Sequence, residues 1–169
     1  RPADATPTVE QTQAKIDGRA KAMVVTRSRL HAVRTKQALD AYITRKGYDQ
    51  GAHPLRTLVA FSGTVTDPDA AGVTWTEAGI NGFSETQLPK KFHGDEYQVL
   101  VVAEKYQTGF DEPLLHTMYV DKKLAGVKAV QTLSRLNRIH PGKNETFVLD
   151  FATDARPEQI HQLFRNCRL

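Results

Sequence analysis

An almost unbroken apolar run constrains the fold of this 169-residue chain more than any other feature. The run lies at residues 97–104 and reads YQVLVVAE. It is short for a helix, and it lacks the alternation of a strand that is buried on one face only. Strands buried on both faces are typical of parallel sheets that are covered by helices on each side. The run therefore predicts an α/β fold with a mainly parallel sheet.

Similar runs alternate with helical patterns along the chain. The other strand candidates are AMVV at 22–25, LRTLVAF at 55–61, LLHTMYV at 114–120 and TFVLDF at 146–151. Apolar spacing predicts a helix that follows the first strand and ends at Gly47. It also predicts a helix from Ala129 that stops at Pro141 and a C-terminal helix from Pro157. We expect residues 1–20 to be a tail or linker and residues 21–169 to form one domain. Within that domain, residues 62–94 form a long excursion with a short helix at 84–92.

Composition excludes several classes of protein. No apolar stretch approaches the ~20 residues of a membrane span. The single cysteine, Cys167, cannot form an internal disulfide, which favours a cytoplasmic location. The six histidines have no metal-ligand spacing, so we expect no metal site in this chain. A net charge of +4 permits an anionic partner without requiring one.

Four polar segments are candidates for a site, because ligands of parallel sheets bind beyond the carboxyl ends of the strands. They are 26–29 with Arg27 and Ser28, then Ser62 and Gly63, then 104–113, and finally a stripe of Gln131, Arg135 and Arg138 on the helix from Ala129. Guanidinium groups offer planar, permanently charged donors to phosphate oxygens. Taken singly, each segment also fits a turn, a helix cap or a solvated helix face.

The order of these segments resembles the superfamily-two helicases. QTLSRLNR at 131–138 resembles motif six, Q-x-x-G-R-x-x-R, with Ser134 where most members have glycine. YQTGFDEP at 106–113 resembles motif five, whose Gly-x-Asp core matches Gly109 and Asp111. MVVTRSR and LVAFSG are similar to the motif-four region. The wording of 101–138 looks more narrowly like the motor (R) subunit of type I restriction enzymes, and the resemblance extends over residues 20–152.

This resemblance implies a three-layer α/β/α RecA-like fold and an ATP site shared between two domains. The chain has no GxxxxGK[ST] motif, so ATP and Mg²⁺ are expected at the interface with a first RecA-like domain. The resemblance implies that Arg138 acts as an arginine finger, that Arg135 contacts the same phosphate, and that Gln131 couples the pair to the neighbouring loop. It assigns Gly109 and Asp111 to the ribose side of the nucleotide.

The resemblance also implies DNA as a partner. Backbone contacts to double-stranded DNA fall to Arg27, Ser28, Ser62, Gly63 and Thr108. Ala103 stands where motif five often has a DNA-contacting threonine, so Thr108 or a backbone amide would replace that contact. Other expected partners are the first RecA-like and nuclease domains of a longer chain, and methylation and specificity subunits in a bacterial or archaeal cytoplasm. The full-length protein would be an ATP-dependent translocase and endonuclease, and the fragment alone would be inactive.

Two other functions fit the same residues. A stand-alone nucleotide- or phosphate-binding α/β module would use the arginine stripe for a small phosphate ligand. A structural interaction domain would leave Arg135 and Arg138 in solvent.

Overall fold

A five-stranded parallel sheet lies at the centre of the computed structural model, which describes residues 19–106, 110–122, 141 and 147–150. In chain order the elements are β1 Lys21–Thr26, α1 Arg29–Lys46, β2 Thr57–Ala60, β3 Thr64–Thr66, β4 Thr74–Thr76, α2 Glu77–Asn81, a 3₁₀ turn Glu85–Gln87, α3 Leu88–His93, β5 Val99–Val102, β6 Leu115–Asp121 and β7 Phe147–Asp150. The strands of the main sheet lie in the order β2-β5-β1-β6-β7, and each neighbouring pair is parallel. The predicted parallel sheet is confirmed.

Helices cover both faces of this sheet, which explains why its strands are apolar throughout. Successive residues of a strand point to opposite faces, so Val24 packs with α1 while Val25 packs with α3. Leu39 contributes to the first core and Phe92 to the second, and both side chains are almost fully buried. The described residues therefore form three layers, as predicted.

Helix α1 begins and ends where the sequence predicts. Ser28 is its N-cap, and the Ser28 hydroxyl accepts a hydrogen bond from the His31 amide at 3.1 Å. Gly47 ends the helix with φ of 72°, a left-handed conformation that glycine adopts without a steric penalty. This helix starts directly at the carboxyl end of the central strand β1.

The segment after β2 has more structure than the sequence indicates. Strands β3 and β4 form an antiparallel hairpin, and the five-residue helix α2 follows it. Val65 and Trp75 from the hairpin and Ile80 from α2 pack against the α1 core. The predicted short helix at 84–92 is confirmed as the 3₁₀ turn followed by α3. The helices predicted from Ala129 and from Pro157, and the tail at 1–18, lie outside the described residues.

Candidate functional site at the carboxyl edge of the sheet

The carboxyl ends of the parallel strands bring several predicted site residues to one edge. Arg27 and Ser28 follow the central strand β1, and both are exposed. Ser62 and Gly63 follow the edge strand β2 and are also exposed. Strand β5 separates β1 from β2, so loops must bridge the gap between the two segments.

Arg29 forms that bridge. Its guanidinium Nη1 donates a hydrogen bond to the Ser62 carbonyl oxygen at 3.2 Å. Gly63 has φ of 75°, and a Cβ atom at this position would lie 3.2 Å from Arg29 Nη1. Any other residue would therefore meet both backbone strain and a close contact with the arginine. The structure thus unites the two segments that the sequence predicts separately.

Asp121, at the end of β6, fixes the other side of this edge. Its carboxylate accepts a hydrogen bond from Arg27 Nη2 at 3.2 Å, and its second oxygen pairs with His31 Nε2. Arg27 nevertheless keeps 65% of its side chain exposed. The guanidinium is therefore held at the edge by one contact while most of its surface faces solvent.

A buried ion pair lies beside the loop that follows β5. Lys105 Nζ is 3.0 Å from both carboxylate oxygens of Glu77, whose side chain is fully buried, and 2.9 Å from Glu85 Oε2. The Glu77 carboxylate also accepts a hydrogen bond from the Phe61 amide at 3.0 Å. Lys105 is flanked by Glu104 and Tyr106, each with φ of 60°, which is uncommon for residues other than glycine. The structure thus fixes the start of the segment that resembles motif five.

Burial and hydrogen bonding have opposing effects on the pKa values of Glu77 and Lys105. Burial raises the pKa of Glu77, and it outweighs the hydrogen bonds from Lys105 that act to lower it. Burial acts to lower the pKa of Lys105, but the hydrogen bonds to Glu85 and Glu77 outweigh it and raise that pKa. Lys105 is therefore positively charged at neutral pH.

Asp111 is the described member of the predicted nucleotide-binding pair. It is exposed and follows Phe110, whose ring lies 5.0 Å from the ring of Tyr106 and anchors this segment to the α3 face of the sheet. Its predicted neighbours Thr108 and Gly109 lie outside the described residues, as do Gln131, Arg135 and Arg138. The structure gives positions for the other five predicted site residues, and the assigned roles of all ten stay predictions.

Sequence reasoning missed Asp121 and Glu77 as parts of this edge, and it included Lys105 only as a member of the candidate segment 104–113. Asp121 pairs with a histidine 90 residues earlier, and Lys105 pairs with a glutamate 28 residues earlier. A single sequence carries no local signal for such pairs. The one available hint was position, since Lys105 and Asp121 both stand at or just after the end of an apolar run.

The exposed groups of this edge suit a phosphate better than a metal ion. Arg27 supplies a cationic donor, Ser28 and Ser62 have short side chains, and Gly63 has no Cβ, so a phosphate can approach the backbone closely. Among the described residues, no group of histidine, cysteine, aspartate and glutamate side chains could hold a metal ion. No helix in the same part of the chain is long and apolar enough to cross a membrane.

Comparison with known sequences finds similarity to subunits of type I restriction enzymes. Residues 71–153 match the family described as type I restriction enzyme subunit R domain 3. The type I restriction enzyme MjaVIIP endonuclease subunit of Methanocaldococcus jannaschii is 32% identical over 136 residues. That alignment covers 77% of this chain and 13% of the relative, so the chain spans about one eighth of the length of that protein.

Solved structures share the fold at low sequence identity. A fragment of an HsdR subunit of a type I restriction enzyme from Vibrio vulnificus matches with a TM-score of 0.61 at 17% identity, covering 96% of this chain and 28% of that chain. The helicase Lhr of Mycobacterium smegmatis, bound to ssDNA and AMP-PNP, matches with a TM-score of 0.60 at 16% identity, covering 99% of this chain and 19% of that chain. The fold is that of a RecA-like helicase domain.

Proposed function

Because this chain has a RecA-like fold and is similar to the R subunits of type I restriction enzymes, we propose that it is the second motor domain of an ATP-dependent DNA translocase. The carboxyl edge of the sheet is the observation that carries this proposal. There the structure joins Arg27 and Ser28 to Ser62 and Gly63 through Arg29, in a geometry open to solvent.

The proposed role of this edge is to hold the DNA backbone. A motor that moves over any sequence must grip phosphates rather than bases. Arg27 supplies charge, the Ser28 and Ser62 hydroxyls supply donors, and Gly63 lets the backbone come close. Thr108 completes this set in the proposal. Lhr, which shares the fold, was solved with ssDNA bound, which supports DNA as the proposed partner.

The proposed role of the arginine stripe is to complete an ATP site on another domain. ATP with Mg²⁺ would be bound mainly by a first RecA-like domain, and it would supply the phosphoryl group whose hydrolysis drives movement. Arg138 would donate to the γ-phosphate and stabilise the negative charge that develops there, with Arg135 on the same phosphate. Gln131 would connect them to the loop of Gly109 and Asp111, which would contact the ribose side.

The proposed setting is a restriction complex. The relative from Methanocaldococcus jannaschii is described as an endonuclease subunit and is several times longer than this chain. In the proposal, the first RecA-like domain and the nuclease domain lie elsewhere in the same full-length protein. Methylation and specificity subunits complete the complex, so this chain neither cuts DNA nor selects a sequence.

Arg138→Ala in the full-length protein tests the proposal. We expect ATP turnover with saturating DNA to fall on the order of 10³-fold, because the charge on the transferring phosphoryl group loses its donor. Arg45→Ala is the matched control, since Arg45 is an exposed arginine at the far end of α1. Turnover should be measured with and without DNA in both variants. Full activity of Arg138→Ala would contradict the proposed mechanism.

ATP binding by the 169-residue chain and ATP turnover of the full-length variants separate the two other functions. A stand-alone nucleotide- or phosphate-binding module would bind ATP measurably as the 169-residue chain, whereas a second motor domain binds it very weakly without its partner domain. A structural interaction domain would leave both Arg135→Ala and Arg138→Ala with unchanged turnover.

A further inference from the structure

A buried carboxylate connects the loop after β2, which carries the proposed DNA contacts Ser62 and Gly63, with the loop after β5, which leads to the proposed nucleotide contacts Gly109 and Asp111. Glu77 accepts a hydrogen bond from the Phe61 amide at 3.0 Å, and Phe61 directly precedes Ser62 and Gly63 of the carboxyl edge. Both Glu77 oxygens also lie 3.0 Å from Lys105 Nζ. Lys105 begins the loop that leads to the nucleotide residues. One side chain thus contacts both segments.

The backbone groups on the outer side of the edge strand β2 can form hydrogen bonds with a side chain that has no charge. Asn81, four residues further along α2, performs that task with a neutral amide. Its Oδ1 accepts a hydrogen bond from the Val59 amide at 3.0 Å, and its Nδ2 donates to the Val59 carbonyl at 2.7 Å. A glutamine at position 77 could accept the bond from Phe61 in the same way. The charge of Glu77 is therefore explained by Lys105, its remaining partner.

A buried ion pair is weak evidence of stabilisation, because the loss of hydration offsets much of the attraction. Its better-supported effect is to select one arrangement of the groups it joins. Here the selected arrangement includes the left-handed backbone of Glu104 and Tyr106 on either side of Lys105. Residues other than glycine keep this left-handed backbone conformation only when surrounding contacts hold them in it. The Glu77 pair supplies such a contact from the side of β2.

We propose that Glu77 is a positioning residue that couples DNA binding to ATP turnover, an inference that rests on the proposed function. Through Lys105 it fixes the loop after β5 relative to the end of β2. Displacement of Ser62 and Gly63 by a DNA strand is thereby transmitted to the nucleotide loop. Without the pair, each loop keeps its own ligand contacts, but the position of one no longer depends on the other.

The test uses the full-length protein and the ratio of ATP turnover with saturating DNA to turnover without DNA. We expect Glu77→Gln, which keeps an acceptor for Phe61, to lower this ratio about tenfold, the range of typical coupling between two sites. Lys105→Met should lower it equally. The double variant should be no worse than either single variant, because all three break the same connection. Lys105→Arg, which keeps the charge, should retain most of the ratio.

Asn81→Ala is the matched control, because Asn81 bonds to the same edge strand from the same helix without reaching Lys105. It should lower Tm while leaving the ratio unchanged. If Glu77→Gln and Asn81→Ala both lower Tm and both keep the ratio, Glu77 is structural only and the inference is wrong. If Glu77→Gln does not fold, Lys105→Met decides, since a normal ratio in that variant also overturns the inference.

The Arg138→Ala variant separates this inference from the proposed function. Loss of turnover in Arg138→Ala together with a normal ratio in Glu77→Gln overturns only the role of Glu77. Full turnover in Arg138→Ala overturns the proposed function, and with it the coupling that depends on it.

Discussion

Lys21 lies inside the amino edge of the sheet, opposite the candidate site. Only 2% of the residue is exposed, and its Nζ donates hydrogen bonds to the carbonyl oxygens of Gly94 at 2.6 Å and Tyr97 at 2.5 Å. Burial lowers its pKa to about 8, against the opposing effect of the nearby Glu112 carboxylate. The lysine therefore joins the start of β1 to the turn after α3, and its charge is costly there.

Lys21 should make the stability of the protein depend on pH in the alkaline range. Between a folded pKa of about 8 and the ordinary value of 10.5, the unfolded chain holds a proton that the folded protein has released. Stability relative to Lys21→Met should therefore rise with pH through this window, by an amount on the order of 3 kcal/mol in total. Urea unfolding of both proteins across the window measures this. Two curves that stay parallel would contradict it.

At the same scale, the sequence identifies residues better than it identifies their partners. Ser62 and Gly63 were predicted because they follow an apolar run, and the structure places them at the exposed edge. Gly63 has a positive φ and lies close to Arg29, a residue 34 positions earlier in the chain that a single sequence does not connect with it. Glu77 was missed for the same reason, because its charge has a function only beside Lys105.

At the scale of elements, the sequence pattern predicted the main-sheet strands and the helices α1 and α3, and it missed the hairpin of β3 and β4 and the short helix α2. Strands β1, β2, β5 and β6 are runs of buried residues, and α1 has a capping serine and a terminal glycine, so their signals are local. Strands β3 and β4 have three residues each, and their inward side chains are only half-buried. Three residues are too few to show the alternation of apolar and polar side chains that identifies a strand. The hairpin is instead recognisable only from the packing of Val65 and Trp75 against the α1 core.

One such contact ties the hairpin to α1 and gives a second prediction of pH dependence. Arg34 Nη2 is 2.7 Å from Asp67 Oδ1 and 2.6 Å from Asp69 Oδ2. The hydrogen bond from Arg34 holds the pKa of Asp67 below its ordinary value of 3.8. The pair's contribution to stability is therefore present above pH 3.8 and is lost as the pH falls through the lowered folded value.

Asp67→Asn should accordingly lower Tm at neutral pH, and the gap from wild type should close under strong acid. The measurement is a thermal melt of both proteins from about pH 7 to about pH 2. Asp69→Asn is the comparison variant, because Asp69 contacts the same guanidinium but keeps 79% of its side chain exposed. It should have a smaller effect. A gap that does not change with pH would show that the Asp67 charge is not what holds the hairpin.

At the scale of the whole molecule, net charge says less than the placement of charge. The excess of 23 basic over 19 acidic residues gives only +4, and basic residues occur at both ends of α1. Parallel strands direct their carboxyl ends to one edge, so Arg27 and Arg29 lie beside the candidate phosphate contacts. Arg45 lies at the other end of the helix, about 24 Å from Arg29 at the helical rise per residue.

The position of Arg27 at the carboxyl edge and of Arg45 at the distant end of α1 predicts which arginine contributes to the salt dependence of DNA binding by the full-length protein. Each phosphate contact releases bound counterions, so removing one reduces the slope of log affinity against log salt by about one. Arg27→Gln should show that reduction, together with weaker binding to every DNA sequence tested. Arg45→Gln removes the same charge from the distant end of α1 and should keep the wild-type slope. If both variants keep that slope, the carboxyl edge does not contact the DNA backbone through Arg27. If both reduce it, the DNA is held by general charge rather than by this edge.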